Sequence, residues 1–270
     1  MLNKIIPLIT GAAILFAIGC STSPDIGTGS LEVRLFDEPG DFKQVNIKVD
    51  SVQIKRTQNE EAGWETISEP NQQYNLLELI NGNFEVIADT DLEAGMVPQI
   101  RLILSREDNS VVVEGENGDD ETHSLTIPSG QETGVNINID AEIVEGIRYV
   151  LNLDFNVDRS VVKTGQASNP GYILQPVIRA SNKAITGNIG GTVLPVEANA
   201  SITAYGGEEE IKTATDPDTG GFLLVGLAEN VSYSVVIESE GYITREFEDV
   251  DVTIGETNDL GEIELEPEEE

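Results

Sequence analysis

The chain carries one histidine, His123, and one cysteine, Cys20, against forty-nine carboxylates. A catalytic triad or a zinc site needs histidine in company with a nucleophile or further soft ligands, and a single histidine restricts both. His123 follows the acidic run Asp119-Asp120-Glu121-Thr122, where it reads as a solvated loop residue. Ser129, in Pro128-Ser129-Gly130, lacks the strand-to-helix setting of a nucleophile elbow and reads as a turn. So many acids allow a carboxylate pair anywhere, and their number discriminates nothing. A glycosidase would hold two of them ~5 to 9.5 Å apart in a cleft lined for sugar. Aromatic residues make up only 5% of the chain, however, and Trp64 is the sole tryptophan. Trp64 reads either as packing in a hairpin or as a ligand platform, and it stands with Asp37, Asp41 and Asp154 as the candidate ligand-binding residues.

Calcium is the inorganic ligand the residues suit best, because hard cations want several carboxylate and carbonyl oxygens on one turn. Asp216 and Asp218, ahead of Gly220-Gly221, form a D-x-D-x-G fragment and are the candidate metal ligands. Asp37, Asp41, Asp154 and Asp158 offer scattered alternatives. The fragment lacks the third ligand and the downstream glutamate of an EF-hand loop. No other cofactor is expected, and no catalytic residue is assigned.

The elements that must position these residues are strands. Leu31, Val33 and Leu35 alternate with Glu32 and Arg34, and Val45, Ile47 and Val49 alternate with Asn46 and Lys48, the mark of half-buried strands in an antiparallel sheet. The apolar phase slips at Asp50-Ser51, which predicts a bulge. Alternation returns at Ile100, Leu102 and Leu104, at Val135, Ile137 and Ile139, and from Tyr149 to Val157. Only Asn75 to Ile80 suits a brief helical turn, stopped by Asn81-Gly82. Polar, Gly-rich stretches such as Glu114 to Thr122 and Gly165 to Gly171 read as loops. Asn75, Gln99 and Arg101 read as polar side chains pairing on a sheet surface. Short strands between turns indicate an all-β chain of two β-sandwich domains, with the boundary near Ala180 to Ala184.

Ahead of them, Lys4 precedes an apolar run from Ile5 to Ile18 that only Thr10 and Gly11 interrupt. It is short for a membrane span and suits a secretory leader. Its end, Ala17-Ile18-Gly19-Cys20, resembles the lipobox of bacterial lipoproteins. That resemblance implies a signal peptide at 1–19, a thioether-linked lipid on Cys20 and a lipidated tether at 20–29. Cys20 then needs no disulfide partner and is no nucleophile, and Ser21 implies sorting to the outer membrane. Whether the protein would face the periplasm or the medium stays open. Removing the leader with Lys4 takes the net charge from −34 to −35, which argues against nucleic acid and bare anionic lipid as partners.

Two further resemblances divide the remainder. Gly29-Ser30-Leu31-Glu32-Val33-Arg34-Leu35, running into Phe36-Asp37-Glu38-Pro39-Gly40-Asp41-Phe42, opens a series of blocks. It continues through Gly63-Trp64, Asn75 to Leu79, Gln99 to Leu102, Pro128 to Gly134, Asp154-Phe155 and Ser160 to Val162, and closes on Tyr172 to Arg179. Residues 30–180 resemble a bacterial lipoprotein domain family of unknown function. Where that family usually has a second aspartate after Asp154-Phe155, this chain has Asn156, which weakens any carboxylate pair there.

Residues 185–265, ahead of an acidic tail at 266–270, resemble the transthyretin-like carboxypeptidase regulatory-like domain. The marks are Ile185-Thr186-Gly187, Ala200 to Tyr205, the turn Thr215 to Phe222, Gly226-Leu227, Tyr233 to Ile237 and Gly241-Tyr242. Such domains are accessory, and in them the Asp216-Asp218 stretch is a hairpin turn. Kinship of some with carbohydrate-binding modules admits a glycan ligand. The expectation is a non-enzymatic, membrane-anchored envelope protein that binds or presents a glycan or an envelope protein. The rivals are a glycan-active enzyme using paired carboxylates and a structural spacer.

Overall fold

The computed structural model describes residues 27–56, 63–115, 117–128, 134–166, 169–182, 186–207 and 209–268. The leader, Cys20 and Ser129 lie outside them. Strands take 65% of the structure and helix 5%, so the all-β expectation holds.

Alternating apolar residues pack two sheets face to face. In chain order the strands are β1 (Thr28–Glu38), β2 (Gln44–Lys55), β3 (Glu65–Ser68), β4 (Gln72–Asn75), β5 (Glu85–Glu93), β6 (Gly95–Leu104) and β7 (Ser110–Glu114). Then come β8 (Asp120–Thr126), β9 (Val135–Ile143), β10 (Arg148–Asn156), β11 (Val161–Gln166), β12 (Asn169–Leu174) and β13 (Ile178–Asn182). One sheet orders β13-β10-β1-β5, and the other orders β11-β12-β8-β7-β2-β6-β9, with β3 and β4 paired to β2. Leu31, Val33 and Leu35 share a core with Leu151, Leu153 and Phe155 and, from the second sheet, Val45, Ile47, Ile100 and Leu102.

The slip at Asp50 is a bulge: Val49 pairs with Leu104 and Ser51 with Ile103, leaving Asp50 as the extra residue. Before it β2 pairs with β4 and β7, and after it with β3 and β6. The helical stretch is a 3-10 turn at Leu76–Glu78, followed by Asn81 and Gly82 at positive φ of 56° and 79°.

Two expectations need correction. The sheet is mixed, because β1 runs parallel to β10 over nine paired residues. The stretches read as loops are partly strand: β8 begins at Asp120, and β11 pairs with β12 down to Gln166 and Asn169. Cross-strand pairing supplies there what local hydrophobicity does not.

After β13 come β14 (Thr186–Leu194), β15 (Ser201–Gly206), β16 (Glu209–Ala214), β17 (Gly221–Ala228), β18 (Tyr233–Glu238), β19 (Arg245–Val250) and β20 (Thr257–Glu264). They form the sheets β17-β14-β20 and β16-β15-β18-β19. Ile189, Ile202, Phe222, Leu224, Val235, Ile237 and Ile263 make a separate core.

The second sandwich sits on the first through polar contacts. The Asn81 amide N–H donates to Thr213 Oγ1 at 3.2 Å, and its Nδ2 donates to the Gly221 carbonyl at 3.0 Å. Gly82 suits its place through its φ of 79°, which disfavours other residues, and a Cβ there would also stand 2.7 Å from the movable Cδ2 of Leu223. Asn81→Ala removes one of these bonds and a residue suited to positive φ, so it should cost about 1–2 kcal/mol. A lowered urea midpoint with an unchanged slope would report it.

Candidate functional site

The site follows from the parallel pairing of β1 and β10. Phe36 stands opposite Asp154, Asp37 opposite Phe155 and Glu38 opposite Asn156. Since successive side chains alternate across a strand, Asp37 follows Leu31, Val33 and Leu35 towards the core. Glu38 points to the other face with Asp154 and Asn156. On the far side of β10, antiparallel β13 sets Arg179 against Asp154.

The Arg179 guanidinium donates from Nη2 to Asp154 Oδ2 at 2.9 Å. It also reaches the second sandwich, from Nη1 to the Gly226 carbonyl at 3.0 Å and from Nη2 to the Val225 carbonyl at 3.2 Å. Asn156 Nδ2 donates to Glu38. Strand β16 contributes Lys212, paired with Glu210 at 2.8 Å. Together these residues border a cleft of about 440 Å³ between the sandwiches, which Asp158 and Arg159 also line.

Three acids here share few cations, and each titrates high. Burial pushes Asp37 well above the ordinary carboxylate range, and the nearby Asp154 charge adds to this. Neither Asp37 oxygen meets a hydrogen-bond partner among the described residues. The Glu38 and Val157 amides lie close and pull its pKa the other way, without forming a bond that meets hydrogen-bond geometry. Burial raises Asp154 too, against the opposing charge and hydrogen bond of Arg179. Glu38 is pushed from 4.5 to about 8, first by burial and then by Asp154, with Arg179 and Lys212 opposing. At neutral pH Glu38 therefore keeps its proton and can donate a hydrogen bond, while Asp154 has a guanidinium to stabilise its charge.

At the other end of the same face, Glu32 accepts from Arg34 and Arg148, and Arg148 also bonds Asp89 at 2.9 Å. The Arg148 hydrogen bond leads the effects that hold Glu32 below its ordinary range.

Asp37 and Asp154 thus lie near enough for their charges to interact but on opposite faces of the sheet, and only Asp154 borders the cleft. Asp41 lies at the neighbouring loop, its amide donating to Asp158 Oδ1 at 3.1 Å. Trp64 is not among the cleft residues: it is half-buried beside β3, with the Arg101 guanidinium 4.3 Å over its ring. Arg101 in turn donates to Gln53 Oε1 at 2.7 Å, and Gln99 to Asn138 at 2.8 Å, so the sheet-surface pairing read for Gln99 and Arg101 is present. Asn75 Nδ2 bonds Glu78 at 2.9 Å.

Asp216 Oδ1 accepts from the Asp218 amide at 3.1 Å and from the Thr219 amide and hydroxyl, both at 2.9 Å. Those bonds, Thr219 foremost, hold its carboxyl below the usual range and commit that oxygen to the turn. Among the described residues no three His, Cys, Asp or Glu side chains are grouped to hold a metal ion. His123 is corrected from loop to strand β8. Its ring lies 5.1 Å from that of Tyr172, and its Nε2 lies 3.5 Å from Glu121.

Glu38, Asn156, Arg179 and Lys212 were not singled out from the sequence as site residues. Their meeting depends on the β1/β10 and β10/β13 registers and on the docking of β16, none of which leaves a local pattern.

A family model described as "Domain of unknown function (DUF4382)" matches residues 28–176. The chain belongs to the DUF4382 family. That match takes in Glu38, Asp154 and Asn156, while Arg179 and Lys212 lie beyond it. No curated protein matches the sequence. Among solved structures, a cohesin–X-dockerin complex from Acetivibrio cellulolyticus is 23% identical over 29% of this chain, with a TM-score of 0.24. The DUF4382 chain spans 56% of that chain's length. The Bacillus anthracis TIE protein is 14% identical over 89% of this chain and 34% of its own, with a TM-score of 0.21. A C-terminal fragment of the pilus adhesin SpaC from Lactobacillus rhamnosus GG is 9% identical over 88% and 98%, with a TM-score of 0.24. At such scores the likeness is too slight to carry the topology.

Proposed function

We propose that this DUF4382 protein is a lipid-anchored envelope protein, a non-catalytic binding module that takes a hydroxyl-rich ligand such as a glycan segment in the cleft beside Arg179. One observation carries the ligand class. The cleft sets donors, Arg159 and Lys212, beside acceptors, Asp158 and Glu210, around a Glu38 that keeps its proton at neutral pH. Sugar hydroxyls both donate and accept, so a mixed lining satisfies them where a single-sign lining would not. The lipobox-like Ala17-Ile18-Gly19-Cys20 supports the anchor, and Ser21 supports outer-membrane sorting. The second sandwich, read as an accessory regulatory-like domain, supplies one wall.

Thermal unfolding of a soluble fragment beginning at Ser21, against a panel of envelope and host glycans with calcium or chelator, tests the reading. A glycan at a hundred times its dissociation constant should stabilise by ~2.7 kcal/mol, and Lys212→Ala should weaken that shift. No shift from any glycan would remove the binding reading.

The pairing of a proton-bearing Glu38 with Asp154 favours a second reading, glycan hydrolysis with Glu38 as general acid. Cleavage of a panel glycan, lost in Glu38→Gln, would establish it in place of the first.

A further inference from the structure

We infer that the end of the first sandwich where β1 begins is a membrane-contact surface, with Met96, Val144 and Ile147 resting on the bilayer interface. The inference rests on the lipid-anchor reading and adds an orientation to it.

Three segments meet at that end. The Ala94 amide donates to the Gly27 carbonyl at 2.8 Å, and the Gly146 amide donates to the Thr28 carbonyl at 2.9 Å. The start of β1 is therefore gripped between the turn from β5 to β6 and the turn from β9 to β10. Around this grip stand large apolar side chains left in the open: Met96 is 40% exposed, Val144 46% and Ile147 58%. Single exposed apolar residues are ordinary on a protein surface, but a group at one end asks for an occupant.

The length of chain ahead of β1 identifies that occupant. Six residues lie between Cys20 and Gly27, a span of seven Cα–Cα steps. Even fully extended they reach only about 25 Å. Acyl chains on Cys20 would hold this end, and no other, against the headgroups. Tethering makes the encounter intramolecular, so a contact too weak to recruit a free protein becomes populated. Glu142 and Glu145 flank the apolar residues, and the net charge of −34 has the same sign. The surface thus suits electrically neutral headgroups and is repelled by anionic ones within a Debye length.

The test uses the full lipidated chain in phosphatidylcholine vesicles. Its Cys20 thiol is occupied by lipid, so Ile147→Cys offers the single free thiol for a polarity-sensitive fluorophore. Tyr205→Cys, an exposed site on β15 of the second sandwich, serves as the comparison. The expected result is a blue-shifted emission at 147 and severalfold stronger quenching by nitroxide-labelled lipid than at 205, both weakened when phosphatidylglycerol is added. Vesicles that carry the protein on flotation but leave position 147 as aqueous as 205 overturn the contact surface while the anchor stands. Equal quenching at both positions also overturns it. Failure to float overturns the anchor and the contact surface together.

Discussion

Replacing Arg179 with methionine should lower the unfolding free energy by about 3–5 kcal/mol, the usual cost of stripping one partner from a buried ion pair. The size follows from what is left behind. Asp154 is 6% exposed and loses the guanidinium that donates to it, and the carbonyls of Val225 and Gly226 lose a donor that helps join the two sandwiches. Asp154 can relieve part of the penalty by taking a proton, so the loss should shrink in acid. Adding Asp154→Leu should recover much of the stability, because replacing both partners removes the orphaned acid. The bridge to Gly226 stays broken in the double variant. Unfolding followed by Trp64 fluorescence, which reports the first sandwich alone, should then separate from unfolding followed by far-ultraviolet dichroism, whereas the parent should show one coincident transition. A loss below about 1 kcal/mol for Arg179→Met would mean that solvent already screens the pair.

Much of this architecture is legible in the residues. Alternation at Leu31, Val33 and Leu35 marks an inward face, and the phase slip at Asp50 marks the bulge, because period two is a local property that burial imprints directly. What alternation does not encode is which strand lies beside which, or in what direction. The parallel neighbour of β1 is β10, more than a hundred residues later, and that pairing alone puts Glu38 beside Asn156 and Phe36 beside Asp154. Asp37 and Asp154 both stand among the candidate ligand-binding residues, yet they fall on opposite faces, and only Asp154 borders the cleft. Arg179 is a plain polar residue in its own strand until β13 docks. Trp64 illustrates the converse: a lone aromatic suggests a platform, but the guanidinium of Arg101 lies over its ring. In Asp216 the D-x-D-x-G spacing is real, but the turn's own amides and hydroxyl use the oxygen that a cation would need.

The same registers set how the protein responds to pH. Glu38 holds its proton up to about 8 in the folded chain and releases it near 4.5 when unfolded. Between those values the unfolded state binds fewer protons than the folded one, so raising the pH favours unfolding. Stability should therefore fall from mildly acidic to mildly alkaline solution, by at most about 5 kcal/mol for Glu38 alone. Asp37 and Asp154, both raised by burial, tilt the curve in the same direction. Glu32 has the opposite sign: its pKa is lowered, so its contribution is present above 4.5 and is lost as the pH falls through its folded value. The two trends place the maximum in mildly acidic solution. Glu38→Gln keeps the neutral shape and an oxygen for the Asn156 amide, so it should change little at pH 5, stabilise at pH 8 and flatten the curve between them. A parent protein whose urea-derived stability is level across that range, or a variant with the parent's slope, would show that Glu38 is not the proton store. The variant also divides the two functional readings. A binding cleft with a neutral Glu38 keeps its glycan shift when glutamine takes the place, because either side chain can donate a hydrogen bond and accept others. A hydrolytic cleft loses turnover, because an amide has no proton to give the leaving group.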